Sequence, residues 1–436
     1  MIIINFKKKD KTVIVSENTI NDLSNRIKNV EEKSEIIYRQ LFDIQNILSS
    51  LNYINNDLDL LNQTTKEKVL IVGFYGADNF GDELMLSTLI ENLEKRKNVE
   101  ISVLIEDYIH YNTAAHLNVK YIHTLHNEND FKKVLAYYDT LIFGGGATID
   151  DTNFGVKFRN YVSLANVFIN LSKLFIDSGK KVILYGLSSS NNIVNKEYIQ
   201  ELNYIFSNAY YISLRDTNSY NYLKSLDINM KNVKIDHDII FANDCIASYC
   251  SKNKKSVKEK SNSIGLILIC NDDLFKFNLD LLNYLLNSTN FNIDLIPFYN
   301  YYNNDVDYLY TYLKELGNTS RINIIPYTNS IEKIIKTFND EDFIISQRYH
   351  ATLISTMLNK PTIALCYDKH IHYKFKIDYI KKEYNPNLNI INITDLYDIN
   401  ELQNIIDAAD SKKYSFNTKF LNDSKKSIQD IIEKIV

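Results

Sequence analysis

The sequence predicts an α/β protein of two doubly wound domains, and three observations carry that reading. Short apolar runs alternate with amphipathic helical patterns from Glu67 to Asp244, and the alternation starts afresh at Ile264. The stretch between, Ser251 to Ser263, is polar and charged without periodicity, the composition of a linker. Of the 11 glycines, six (Gly73, Gly76, Gly81, Gly144, Gly145 and Gly146) fall in two loops that each follow a predicted strand, so backbone must come unusually close to something at two strand ends. A chain of 436 residues is also too long for one ordinary domain.

The first segment, 1–66, lies outside that plan. Thr12-Val13-Ile14-Val15 alternates but suggests no partner. From Ile20 a heptad runs through Leu23, Ile27, Val30, Ser34, Ile37, Leu41, Ile44, Leu48, Leu51, Asn55 and Leu58, with spacings of three and four and no slip. Asn55 at an a position would fix the register of two strands. The expectation is a parallel dimerisation helix, and the alternative is a helical hairpin packed on the protein's own body.

In the first domain, 67–250, Val69–Val72 reads as a buried strand, and the loop Gly73 to Glu83 leads into a helix from about Leu84 to Lys97, with Asp82 its expected N-cap. The loop has neither GxGxxG nor GK[ST], and two acids at a helix start repel phosphate, so it suits sugar hydroxyls better. Strands follow at 101–105, 120–123 and 140–143, the last ending in Gly144-Gly145-Gly146. Next come a helix over 158–178, strand 181–187, helix 196–207, and strand 211–214 with Arg215-Asp216 at its end, before a helix over 218–225.

The second domain, 264–385, repeats the pattern with strands at 264–270, 293–297, 322–326, 343–345 and 362–366. Phe343-Ile344-Ile345 ends in Ser346-Gln347-Arg348-Tyr349-His350, which opens a helix stopped by Lys360-Pro361. Ligands of open parallel sheets sit beyond the carboxyl ends of strands, and a helix N-terminus offers free N–H groups to anions. Arg348 and His350 occupy that place. Residues 386–436 should close the chain with a strand at 388–393 and helices at 402–409 and 424–436.

A net charge of −5, with basic residues spread among acidic ones, argues against nucleic acid as a partner. The four cysteines lack CxxC spacing and read as reduced, buried thiols. No apolar run approaches the roughly 18 residues of a membrane span, and no signal-peptide core is evident, so a cytoplasmic protein is expected. His123 with His126, and His370 with His372, form no coherent metal-ligand set.

Four segments in order, Asn79–Glu83 (NFGDE), Phe143–Asp151 (FGGGATIDD), Ser213–Asp216 (SLRD) and Ser346–His370 (SQRYHATLISTMLNKPTIALCYDKH), resemble the bacterial polysaccharide pyruvyl transferases. The resemblance covers roughly Val69 to Lys374 and implies two facing Rossmann-like domains in a GT-B-like arrangement. It further implies transfer of pyruvate from phosphoenolpyruvate to two sugar hydroxyls as a ketal during cell-surface glycan biosynthesis. By that likeness Arg215, Arg348 and Lys369, with Gly144 and Gly145, hold the donor, and His350 is the general acid. Asp78, Asn79, Asp82 and Glu83 are the implied acceptor contacts. No metal or cofactor is needed, because arginines can carry the anionic charge. The implied partners are phosphoenolpyruvate, a free or lipid-linked glycan at the inner face of the membrane, and a second copy of the chain. This chain departs from the family's Tyr-Asp-Pro-Lys, where Asp368 abuts Lys369, and has Asn359 for the usual glycine before Lys360-Pro361. A GT-B glycosyltransferase using a nucleotide sugar, or a non-catalytic scaffold of the glycan machinery, would share the architecture.

Overall fold

The computed structural model describes residues 2–5, 12–15, 33, 66–96, 98–105, 117, 119–123, 125, 128–156, 162–252, 262–300, 304–317, 319–367, 371–393, 414 and 416–435. The chain divides into a unit of residues 1–64 and a unit of residues 65–436. In the smaller, β1 (Ile2–Asn5) pairs antiparallel with β2 (Thr12–Val15), which gives the alternating segment its partner. The heptad positions from Ile20 to Leu58 lie outside the described residues, as do Lys369 and the helix expected at 402–409.

The larger unit holds two parallel sheets. The first contains β3 (Glu67–Val72), β4 (Val99–Leu104), β5 (Tyr121–His123), β6 (Thr140–Gly144), β7 (Lys181–Leu187), β8 (Tyr211–Leu214) and β9 (Val233–Ile235), in the order β5-β4-β3-β6-β7-β8-β9. The second contains β10 (Ser263–Ile267), β11 (Asn292–Leu295), β12 (Ile322–Ile324), β13 (Phe343–Ser346), β14 (Thr362–Cys366) and β15 (Asn389–Asn392), in the order β12-β11-β10-β13-β14-β15. Both orders run outward from a first strand, return, and run outward on its other side. The point of reversal lies between β3 and β6 in one sheet and between β10 and β13 in the other, where doubly wound folds open a crevice. Both glycine loops leave the first of these points, and Arg348 and His350 leave the second.

Burial explains the strand composition. Val69 to Val72 expose no surface, as expected of a strand covered by helices on both faces. Helix α1 (Phe80–Leu93) begins earlier than the sequence suggested, and its N-cap is Asn79, not Asp82. The reason is a tertiary contact: Asn79 forms an antiparallel bridge with Tyr299, which keeps its backbone extended until helix starts at Phe80. Asp82 therefore stands in the first turn. Besides β1, four further strands and helices had no sequence counterpart: α2 (Glu128–Tyr137), β9, α6 (Asp244–Lys252) and α11 (Ile371–Tyr379). A three-residue strand is too short to display alternation.

The remaining helices are α3 (Leu164–Asp177), α4 (Lys196–Asn208), α5 (Thr217–Ser225), α7 (Phe275–Ser288), α8 (Asp305–Glu315), α9 (Ile331–Asp340), α10 (Tyr349–Met357) and α12 (Lys419–Ile435). Helix α12 returns from the second sheet to the first. It packs on α1 and on a 3-10 turn at Ile239–Ala242, burying Ile428, Ile431, Ile432 and Ile435. Lys181 Nζ donates to the Ile435 carbonyl at 2.8 Å, and Lys425 pairs with Asp244 at 2.5 Å. One apolar cluster accordingly spans both sheets, from Ile71 and Leu89 through Phe241 to Ile354 and Ile431. All four cysteines are free thiols. Among the described residues no helix is long and apolar enough to cross a membrane.

Candidate active site

Arg215 leaves the end of β8 with only 3% of its surface exposed. A guanidinium so deep must be paired. Its Nη1 donates to Asp238 Oδ2 at 2.7 Å, its guanidinium carbon lies 4.6 Å from the centre of the Tyr349 ring, and among the described residues its Nε has no partner. Asp238 comes from the end of the next strand, β9. It reaches Arg215 because β7 bulges between Leu184 and Leu187, where Gly186, at φ +62, lets Ile239 pack against its Cα. Burial alone would raise the Asp238 carboxyl, but Arg215 and His350 hold it well below the usual carboxylate range.

His350, in the first turn of α10, brings Nε2 to 3.5 Å from the same Asp238 oxygen. That is an ion-pair separation rather than a hydrogen bond, and Nε2 is otherwise unpartnered and buried. The imidazole can take this position because residue 81 is glycine: a Cβ there would collide with His350 Nδ1. Arg215 and His350, 135 positions apart in the chain, thus converge on one carboxylate.

The two glycine loops close the same place from the other side. Both Gly145 and Gly146 have positive φ. A Cβ on Gly145 would lie 2.6 Å from Met85 Sδ, and one on Gly146 would lie 3.5 Å from Asp82 Oδ1. Gly144 instead accepts a hydrogen bond from the Tyr75 hydroxyl and serves the loop's packing. Asp82 is pushed up to about 6, chiefly by burial, with His350, Arg215 and Lys376 opposing the rise. It can therefore exchange a proton near neutral pH.

Glu83 turns away from this centre. Its Oε1 accepts the Gly76 N–H at 2.7 Å, Oε2 has no partner, and burial raises the carboxyl to about 8. Asp78, at φ +48, accepts from Asn300 and Asn329, while its carbonyl takes the Tyr327 hydroxyl at 2.8 Å. With the Asn79–Tyr299 bridge and the Phe80 N–H donating to the Phe298 carbonyl at 2.9 Å, these contacts dock the first glycine loop on the second sheet. Arg348 belongs to that docking surface: Nη2 donates to Asp305 at 2.6 Å and Nε to the Leu268 carbonyl at 3.1 Å. Asp305 in turn accepts the N–H groups of Phe298 and Tyr299.

Of the residues expected at the site, Arg215, His350, Asp82 and Gly145 gather around Asp238, while Asn79 docks the first glycine loop on the second sheet. Arg348, Asp78 and Glu83 are engaged beside it, and Lys369 lies outside the described residues. Two charged groups of the centre had escaped sequence reasoning. Asp238 follows a strand too short to recognise, although its place at a strand end is the signal that would have found it. Lys376, on α11, is pushed down to about 8 by burial and by Arg215. No motif or spacing announces it.

Comparison with known proteins bears on the family and the fold. The family model for polysaccharide pyruvyl transferase matches residues 79–370, a span that includes the end of the first glycine loop, the whole of the second, Arg215, Asp238 and His350. No curated protein matches the chain significantly. Among solved structures, UDP-GlcNAc 2-epimerase from Methanocaldococcus jannaschii superposes with a TM-score of 0.55 at 12% identity, over 84% of this chain and 99% of that one. MurG of Acinetobacter baumannii gives 0.50 at 11%, over 85% and 99%. Anabaena Alr3699/HepE, solved in complex with UDP, gives 0.52 at 11%, over 84% and 97%. At such identities the likeness is one of fold, the GT-B arrangement of two facing Rossmann-like sheets. The match of the family model across two thirds of the sequence goes further, and the chain belongs to the polysaccharide pyruvyl transferase family.

Proposed function

We propose that this protein transfers pyruvate from phosphoenolpyruvate to a sugar or glycan, forming a cyclic ketal across two of its hydroxyls. The observation that carries the reading is the convergence of Arg215 and His350 on Asp238, facing Asp82 and the second glycine loop. Arg215 offers charge and an unused Nε–H to an anionic donor. His350 Nε2 delivers a proton to the donor's methylene carbon. The double-bond electrons form the new C–H bond and leave the adjacent carbon cationic. A sugar oxygen then bonds to that carbon, giving its proton to Asp82. The C–O bond to phosphate then breaks, the second hydroxyl oxygen bonds to the carbon so freed, and that hydroxyl's proton leaves with the phosphate. Asp238, fixed by Arg215, keeps a negative charge beside the imidazole throughout. In this reading Arg348 orders the loops that frame the donor, and Asp78, Asn79 and Glu83 set the loop that meets the sugar. The setting we propose is the cytoplasm, on a free or lipid-linked acceptor, with two copies joined through the N-terminal heptads.

The test is phosphate release from phosphoenolpyruvate in the presence of acceptor glycan. His350→Ala should lower turnover by about 10²–10⁴-fold, the range of a general acid, while leaving the melting temperature near that of wild type. Undiminished turnover would remove His350 from the chemistry. Calorimetric binding of UDP-N-acetylglucosamine without binding of phosphoenolpyruvate would replace the proposal with a nucleotide-sugar enzyme.

A further inference from the structure

We infer that Lys376 is a donor-binding residue of this site, its ammonium set to receive the phosphate group of the donor beside Arg215. The inference rests on the functional reading above and adds a residue outside the four sequence segments that suggested it. Lys376 lies on α11, a helix of the second sheet that packs on α5 of the first. The contact is fixed next to the lysine, where Asn218 Nδ2 donates to the Phe375 carbonyl at 2.9 Å. Since α5 starts directly after Arg215-Asp216, this packing carries Lys376 to the end of β8. Its electrostatic neighbours are Arg215, Asp216, Asp82 and Asp150, the charged groups around the end of β8 to which this packing brings it.

What distinguishes this lysine is that it has no hydrogen bond or ion pair among the described residues, although carboxylates surround it. Two of those carboxylates have other work. Asp216 caps α5 by accepting the Ser219 N–H at 2.6 Å and the Ser219 hydroxyl at 3.0 Å. Asp150 Oδ1 accepts the Thr152 N–H at 2.8 Å. Asp82, pushed up to about 6, carries only part of its charge near neutrality. An ammonium placed near a guanidinium, with no partner of its own, is repelled until an anion enters between them. A phosphate monoester, with up to two negative charges, would relieve that repulsion, since lysine binds phosphate as a compact point charge while the arginine fork fixes its orientation.

Calorimetry with full-length protein separates this idea from the one it rests on. Wild type should bind phosphoenolpyruvate and, more weakly, inorganic phosphate. Lys376→Ala should weaken both by about 10–100-fold, in line with loss of a charge-assisted contact, and Lys376→Arg should recover part of the loss. If Lys376→Ala binds both ligands as wild type does, the residue only balances its acidic neighbours and the inference is overturned, whatever happens to the melting temperature. If wild type binds phosphate but not phosphoenolpyruvate, the functional reading fails. Lys376 then stands as an anion-binding residue only if its alanine variant loses phosphate. Wild type binding neither ligand overturns both.

Discussion

Glu83 shows at the scale of one residue how a fold spends an acidic side chain. The carboxyl is buried with one oxygen unpartnered, and its pKa is raised from 4.5 to about 8. The protonated form is thus the one the folded protein prefers. The stability it contributes is complete below about pH 4.5 and is lost as pH rises through about 8, at roughly 1.4 kcal/mol per unit. Denaturation followed from pH 5 to 9 should show wild-type stability falling by a few kcal/mol, and Glu83→Gln should flatten that fall. Gly81 makes the opposite point. Alanine there should favour helix α1 by up to about 1 kcal/mol, yet its Cβ would displace the His350 ring. Gly81→Ala is expected to lower the melting temperature, because the Cβ would press on the root of a buried ring, and to reduce turnover at least tenfold, as a thermal melt beside phosphate-release kinetics will show. Retained activity would mean that the imidazole works from another position.

At the scale of elements, the site depends on pieces that contribute no chemistry. The bulge at Gly186 admits Ile239, which sets Asp238; the bridge between Asn79 and Tyr299 starts α1 where Gly81 can face His350. Helix α12 supports both by covering α1 and the turn that follows Asp238. Its Ile432 is 1% exposed. Ile432→Ala should cost about 2–5 kcal/mol, as large-to-small changes in packed cores do, and a lowered denaturant midpoint would register it. A cost below 1 kcal/mol would mean that α12 is held by its ends, through Lys425–Asp244 and the Lys181 contact, rather than by its apolar face.

At the scale of the molecule, two sheets of like strand order share one apolar cluster, and the loops at their points of reversal meet. A centre built from two chain segments so far apart orders groups that neither segment could hold alone. The segment of residues 1–64 is a separate unit. Its heptads predict association, so protein lacking those residues should sediment as a lighter species and retain its far-ultraviolet dichroism per residue for the sheets. An unchanged number of copies in ultracentrifugation would place the oligomer contact elsewhere.

The sequence by itself determined where strands end and which loops carry glycine, and from these the places of Arg215, His350 and Gly145. Such features are local: apolar periodicity, strand length and the demand of a close approach are all written within a dozen residues. Only the tertiary structure decided that Arg348 would turn to Asp305, that Glu83 would serve Gly76, and that Asp238 and Lys376 would join the centre. The direction of a side chain depends on what distant segment it meets, and the meetings of β9 with β8 and of α11 with α5 arise from crossover packing that no local period records.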